Sequence, residues 1–259
     1  MAQICIKILN KDGRILDQKE GTDEVNLLYL EEYREGDRIV LEVSETNTYY
    51  YVQLDETRGK AFVYLTGDME YEIPFKEKRL TPLAFTGGRH IISVRKAFAE
   101  EQMNYRNLAE NVWDQEGDVN CYPHASANVI LAGRPLFGAQ SVLDGLTFTE
   151  KHGSWPYSSW SICRREDAAW KVEFGRPVEI DKLVVYARAD YPHDSWWTKM
   201  TVTFSDGSRE VFELEKGGQA QYFTILKKDI EWLEISELIK GDDPSPFPAL
   251  TQIQVYGRG

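Results

Sequence analysis

The sequence has few cysteines, and their spacing suggests neither a disulfide framework nor a zinc site. Cys5, Cys121 and Cys163 lie far apart and form no CxxC pair, whereas both kinds of site need paired sets. The 4 histidines are also scattered, with no two of them two or four residues apart. Local spacing therefore does not indicate a histidine metal centre, and we expect reduced thiols and no required cofactor.

Long apolar runs are also missing. Stretches such as residues 39–41 are soon broken by charge, whereas a spanning helix needs about 20 mostly apolar residues. The first residues carry Lys7 inside their apolar run and lack the long apolar core of a signal peptide. We therefore expect a cytoplasmic protein, or a secreted one if a leader has been removed, with no insertion into a membrane.

Basic residues are fewer than acidic residues in this chain. The chain carries 30 basic and 42 acidic residues, a formal net charge of -12. Such a charge repels phosphate backbones and anionic lipid headgroups. Nucleic acid and membrane surfaces are therefore excluded as preferred partners.

Signature motifs of several enzyme classes are absent. The sequence has no GxSxG elbow, no HExxH, no P-loop lysine motif and no dinucleotide-binding glycine pattern. A glycan hydrolase needs only two carboxylates that converge on one bond, so it stays an alternative. We nevertheless expect a protein without catalytic activity.

The chain does contain a regular series of strand-like segments. In residues 1–100, Ile4, Ile6 and Ile8 alternate with other residues, and Asp12-Gly13 then marks a turn. Residues 25–33 are ambiguous, because their apolar positions also fit a short helix. Short strands separated by turn residues are typical of an antiparallel sandwich or jelly roll.

Residues 97–106 lose this alternation and are rich in helix formers, which predicts a short connector. The β pattern resumes at Asn107 with longer loops. Asp206-Gly207 lies between two alternating runs and is the strongest hairpin signal of the chain. We predict an all-β protein of two jelly-roll-like β-sandwich domains, residues 1–100 and 101–259, the second starting with the connector.

The second half resembles the discoidin or coagulation factor type C family, a galactose-binding-like β-sandwich that includes many bacterial carbohydrate-binding modules. The similar segments, in order, are 107–109 (NLA), 123–127 (PHASA), 143–145 (LDG), 170–175 (WKVEFG), 178–186 (VEIDKLVVY), 204–207 (FSDG) and 250–257 (LTQIQVYG). Their order and spacing carry the resemblance, which does not extend to the first hundred residues. It implies the galactose-binding-like fold and, as the usual role of that fold, carbohydrate binding.

Members of this family often hold a structural calcium near the Asp-Gly turn. Here Asp144 is the one clear candidate ligand and Glu150 a remote one, although calcium takes six to eight oxygens. The resemblance therefore allows a structural calcium at Asp144. The alternative is that Asp144 is a turn residue that bonds to its own backbone.

Two aromatic stretches, residues 152–167 and 189–197, follow no regular period and are predicted to be loops. The resemblance places both between strands, at an end of the sandwich where sugars bind. A pyranose offers C–H groups to an aromatic face and hydroxyls to charged or amide partners. The predicted ligand-binding residues are Trp155, Tyr157, Trp160, Arg164, Tyr191, His193, Asp194 and Trp196.

Each of these residues has a structural alternative. Either Trp155 or Trp160 could close the end of the sandwich, and Trp170 and Trp197 are predicted to be core. Of the histidines, we expect His124 to be structural. The overall prediction is a carbohydrate-binding protein, with a glycan hydrolase or a protein–protein interaction module that uses the same loops as alternatives.

Overall fold

The computed structural model describes residues 1–117, 119–129, 131 and 133–259. Within them the chain is nearly all β-structure, which confirms the all-β prediction. The helical pieces there are one turn, α1 (Ala99–Gln102), and two 3-10 turns at 135–137 and 139–142. The strands are β1 (Gln3–Leu9), β2 (Ile15–Thr22), β3 (Glu24–Tyr29), β4 (Arg38–Val43), β5 (Thr48–Gln53), β6 (Ala61–Leu65), β7 (Met69–Glu72), β8 (His90–Lys96), β9 (Arg106–Asn107), β10 (Cys121–Tyr122), β11 (His124–Ala127), β12 (Trp160–Ser161), β13 (Trp170–Ala187), β14 (Trp197–Phe204), β15 (Arg209–Glu213), β16 (Gln221–Lys240) and β17 (Ala249–Arg258).

The N-terminal half is built from two antiparallel sheets. One has the strand order β2-β1-β4-β7 and the other β10-β6-β5-β8-β3, and their inward residues form one apolar core. The ambiguous segment is strand β3, in which Val25, Leu27 and Tyr29 are buried in alternation. Its pairing with β8 decides the conformation, because tertiary pairing outweighs weak local preference.

The C-terminal half is one antiparallel sheet that folds over on itself. Its order is β12-β17-β13-β16-β14-β15, with β11 also on β13 and β9 on β17. The pairing of β13 with β16 skips between Glu173 and Val178, and such a bulge bends a strand. Trp170 and Phe174, before the skip, share one core with Leu183 and Val185, after it. The long strands β13 and β16 therefore bend and contribute to both layers of the sandwich.

The bend in β13 requires a glycine. Gly175 has φ +70°, and a Cβ there would lie 2.5 Å from the ring of Tyr122. Only glycine adopts this conformation without steric cost and leaves room for the ring. Gly207, at φ +82°, plays the same conformational part in the hairpin between β14 and β15, where Asp206-Gly207 predicted one.

A segment after residue 100 packs into the N-terminal core. Strand β10 pairs with β6, and Trp113 is buried in the first core with its indole N–H donating to the Val52 carbonyl at 2.9 Å. Buried Arg79 donates to the carbonyls of Val112 and Asp114. The two halves are thus joined by a shared segment, and the boundary at residue 100 stays a prediction.

Tyr49, the first of three consecutive tyrosines, lies at this junction. The Arg176 guanidinium of the C-terminal half stacks on its ring at 4.5 Å and donates to its hydroxyl. Tyr50 is core, and Tyr51 lies beneath Arg95 instead. Among the described residues, no helix has the length and apolar character needed to cross a membrane.

Candidate functional site at one end of the C-terminal sandwich

Three loops meet at one end of the C-terminal sandwich. They are the loop before β12, the loop between β13 and β14, and the segment that leads into β17. The backbone N–H of Arg188, just after β13, donates to the carbonyl of Ala249, the first residue of β17. This bond fixes the end of one strand beside the start of the other, so side chains from all three loops converge there.

Five rings make up what we call the ring cluster: Phe137, His152, Tyr157, His193 and Phe247. Phe137 lies with its ring centre 6.1 Å from those of His152, Tyr157 and His193. His152 lies 5.1 Å from His193. His152 is exposed and Tyr157 and Phe247 are half-buried, whereas Phe137 and His193 are buried, so the cluster offers solvent the rings of His152, Tyr157 and Phe247.

A buried ion pair supports the ring cluster from below. The Arg188 guanidinium donates to both carboxylate oxygens of Asp190, at 2.5 and 2.8 Å, and to the hydroxyl of Ser159 at 3.1 Å. Its charge centre lies 5.9 Å from the ring centres of Phe137 and Tyr157. The forked geometry of this pair fixes both groups, and desolvation makes such pairs costly to break.

The same pair sets the protonation of nearby groups. Hydrogen bonds from Arg188 and Thr149 hold the pKa of Asp190 below its usual value, although burial acts in the opposite direction as the largest single effect. Burial, followed by the charges of Arg188 and His152, lowers the pKa of His193 to about 4. His193 is therefore neutral at pH 7. Its Nδ1 lies 3.3 Å from the Phe247 carbonyl, which assigns the proton to Nδ1 and leaves Nε2 as an acceptor.

Three of the eight predicted ligand-binding residues belong to this arrangement. Tyr157 and His193 are members of the ring cluster. Arg164 is exposed and places its guanidinium 4.6 Å from the centre of the Phe247 ring. These residues come from both predicted loops, so the structure brings the two loops together.

Three further predicted residues lie in the loop between β13 and β14. The Tyr191 side chain is 81% exposed. One carboxylate oxygen of Asp194 is buried without a hydrogen-bond partner among the described residues. Trp196 instead packs against Gly241, where a Cβ would lie 2.5 Å from the indole, and beneath Lys216. Tyr191 and Asp194 remain candidates for ligand contact, whereas Trp196 is held by its own packing.

The last two predicted residues make no ring contact with the ring cluster, and for Trp160 the structure corrects the prediction. Trp160 is fully buried in the C-terminal core, because its strand β12 pairs with β17 and turns the indole inward. It is the tryptophan that closes the sandwich. Trp155 donates its indole N–H to the Arg79 carbonyl at 3.2 Å, so it lies at the junction between the halves. Trp170 and Trp197 are core, as expected.

Sequence reasoning missed five residues of the site: Phe137, His152, Arg188, Asp190 and Phe247. The sequence did contain a signal for the Arg188–Asp190 pair. The two residues are two positions apart directly after a buried strand, and side chains at that spacing in an extended chain point to the same side. Phe137 and Phe247 carry no such local signal. They join the cluster only through the fold.

The residues at the Asp144 turn do not fit a calcium ion. The Asp144 carboxylate accepts bonds from the Leu146 N–H at 2.9 Å and the Ser158 hydroxyl at 3.2 Å. Its backbone carbonyl, the kind of oxygen a calcium would use, accepts from the Arg58 guanidinium. The positively charged Arg58 guanidinium therefore already occupies this carbonyl and would repel a cation bound to it. Asp144 is therefore the turn residue that bonds to its own backbone, as in the alternative prediction.

A cleft of about 1280 Å³ lies between the two halves, with His124 and Asp114 in its wall. His124 Nδ1 lies 2.7 Å from the Asp114 carboxylate, which also accepts the Ala125 N–H at 2.8 Å. Burial raises the pKa of Asp114. The pair holds the start of β11 against the segment before it, which fits the structural role expected for His124.

Solved structures similar to this chain include three sugar-binding modules. A chitosan-binding module of a Paenibacillus chitosanase/glucanase has 17% identity and a TM-score of 0.40, over 60% of this chain and 100% of the module. The lectin domain of lectinolysin, complexed with Lewis B antigen, has 16% identity and a TM-score of 0.43, over 59% of this chain and 97% of the domain. A family 32 carbohydrate-binding module of C. perfringens NanJ, in complex with galactose, has 17% identity and a TM-score of 0.39, over 51% of this chain and 91% of the module.

No protein-family model matches the chain, and no curated protein matches it. Because the identities lie below 25% and the TM-scores below 0.5, the similarities carry no argument about what this chain binds.

Proposed function

We propose that this protein binds a carbohydrate at the ring cluster, without catalysing a reaction. The observation that carries the proposal is the combination of the exposed His152 and half-buried Tyr157 rings with the forked Arg188–Asp190 pair, whose guanidinium lies 5.9 Å from the Tyr157 ring centre. Aromatic faces suit the C–H side of a sugar ring. Carboxylate and imidazole groups held in fixed positions suit its hydroxyls.

The polar groups around the ring cluster offer both donors and acceptors. Neutral His193 has a lone pair on Nε2, and Asp190 and Asp194 add two half-buried carboxylates that can accept from hydroxyl donors. Exposed Arg164 supplies a donor at the rim. This mixture matches a neutral polyhydroxylated ligand better than an anion, because the chain's net charge is -12. The proposal requires no cofactor.

The test is a glycan array followed by titration calorimetry with the best ligand. We expect His152→Ala and Tyr157→Ala each to weaken binding about ten-fold, the equivalent of about 1.4 kcal/mol and within the range of one aromatic contact. The matched control is Tyr222→Ala, because Tyr222 is a 71% exposed ring on strand β16 outside the ring cluster.

Three outcomes would contradict the proposal. A folded protein that binds no glycan would favour a protein partner for the same rings. Equal affinity of the wild type and the two cluster variants would place the site elsewhere. Release of reducing sugar from a bound glycan, abolished by a single carboxylate substitution, would show a hydrolase instead.

A further inference from the structure

A second group of functional side chains lies in the N-terminal half. Asp55 and Glu56 follow strand β5, and His90 begins strand β8, which pairs with β5 in antiparallel fashion. The pairing brings the end of one strand to the start of the other. One ligand atom from each of the three residues lies within 4.8 Å of the other two.

The hydrogen bonding of His90 defines its tautomer. Its Nε2 lies 2.7 Å from the Gly87 carbonyl, and a carbonyl only accepts, so Nε2 carries a proton and, in the neutral ring, Nδ1 carries the lone pair. His90 is fully buried, and its Nδ1 has no hydrogen-bond partner in the described part of the chain. A histidine that ligates a metal is typically held in this way, with its other ring nitrogen donating to a backbone carbonyl.

The unpaired nitrogen faces a carboxylate. Asp55 Oδ2 lies 4.0 Å from His90 Nδ1, too far for a hydrogen bond. When the ring is neutral in this tautomer, both atoms are acceptors, and the pair itself then holds no positive charge beside the Asp55 carboxylate. Lys78, whose charge acts on Asp55, donates to the Ala84 carbonyl instead. A cation bound between His90 Nδ1 and Asp55 Oδ2 would contact both acceptors and offset the charge of the carboxylate.

Both carboxylates are held in place by backbone groups. Asp55 Oδ1 accepts the Thr57 N–H at 2.9 Å and the Thr57 hydroxyl, and Oδ2, the oxygen that faces His90, accepts the Phe85 N–H at 2.7 Å. Glu56 accepts the N–H of Ile91 at 3.2 Å. A carboxylate has about four lone-pair sites, so each keeps capacity for a metal. Glu56 is exposed and gives the group access to solvent.

We propose that Asp55, Glu56 and His90 bind a divalent transition metal of the Zn²⁺ class. Zinc lies about 2.0–2.2 Å from nitrogen and oxygen ligands, so a tetrahedral site needs ligand atoms about 3.4 Å apart. Movements of a few tenths of an ångström would bring His90 and Asp55 to that separation from 4.0 Å. Imidazole favours zinc, copper, iron or nickel over calcium and magnesium. Solvent completes the coordination on the Glu56 side.

The location gives this site a structural consequence. Arg58 comes two residues after Glu56 and donates to the Asp144 carbonyl of the C-terminal half. A metal that fixes residues 55 and 56 therefore also steadies the loop between β5 and β6, from which Arg58 contacts the C-terminal half. The inference is independent of sugar binding, since none of its residues belongs to the ring cluster.

The experiment titrates the full-length, chelator-treated protein with ZnCl₂ by calorimetry. We expect one ion per chain and at least ten-fold weaker binding in Glu56→Gln, which removes an exposed ligand without disturbing the core. Glu100→Gln, at another exposed acidic residue, in α1, is the matched control and should bind as the wild type does.

A second measurement reads His90 directly and needs no substitution. In a nitrogen-15 spectrum of the imidazoles, zinc should shift the Nδ1 resonance of His90 and leave its Nε2 proton in place. The proposal is overturned if the wild type takes up no stoichiometric zinc, if Glu56→Gln binds as tightly as the wild type, or if the His90 resonance does not move.

Discussion

Two buried groups, His193 and Asp144, have pKa values that are shifted in opposite directions. They should therefore change the unfolding free energy in opposite directions as the pH falls. The pKa of His193 is lowered to about 4 from an ordinary 6.5 by burial first and then by the Arg188 and His152 charges. The pKa of Asp144 is raised to about 6 from 3.8, mainly by burial. Both groups therefore titrate differently in the folded and unfolded chains between pH 4 and 6.5.

The signs are opposite. Between pH 6.5 and 4, the unfolded chain binds a proton at His193 that the folded chain does not, so the stability that His193 contributes is present above pH 6.5 and is lost as pH falls. For Asp144 the folded chain holds the extra proton between pH 6 and 3.8, so stability is gained as pH falls. At 1.36 kcal/mol per pKa unit, each effect reaches about 3 kcal/mol.

Single substitutions separate the two effects. Relative to the wild type, His193→Gln should gain up to about 3 kcal/mol of unfolding free energy as pH falls from 6.5 to 4. Asp144→Asn should lose a similar amount over the same interval. Each variant also loses contacts, but that loss is constant with pH and cancels in the difference.

The assay is urea unfolding followed by circular dichroism at pH 7.5, 6, 5 and 4 for the wild type and both variants. Linear extrapolation gives the unfolding free energy at each pH. Parallel profiles for all three proteins would refute the reasoning, since they would mean that neither group changes its pKa on folding.

Two further predictions concern buried tryptophans. Trp170→Ala should lower the unfolding free energy by about 3–5 kcal/mol, because the side chain is fully buried and donates to the Ala139 carbonyl at 3.0 Å; a loss below about 1 kcal/mol in chemical denaturation would mean the ring is not core. Trp113→Phe should cost about 1–3 kcal/mol through the lost bond to the Val52 carbonyl at 2.9 Å, and an unchanged denaturation midpoint would contradict this.

The sequence alone determined the strand pattern, because side-chain alternation and turn chemistry are local. Ile4, Ile6 and Ile8 alternate along the sequence and are all buried on strand β1, and Asp206-Gly207 makes the hairpin that its residue types require. It also determined which loops carry the candidate site, since aromatic residues without a regular period fit neither strand nor helix.

Only the tertiary structure decided which side chains of those loops meet. Trp155 and Trp160 lie five residues apart in one loop, yet one faces the N-terminal half and the other the C-terminal core. Phe137 and Phe247, far apart in sequence, share a site because strand ends bring them together. The Asp55–Glu56–His90 group arises in the same way: spacing along the chain placed its histidine near no other ligand, whereas strand pairing placed it beside two carboxylates.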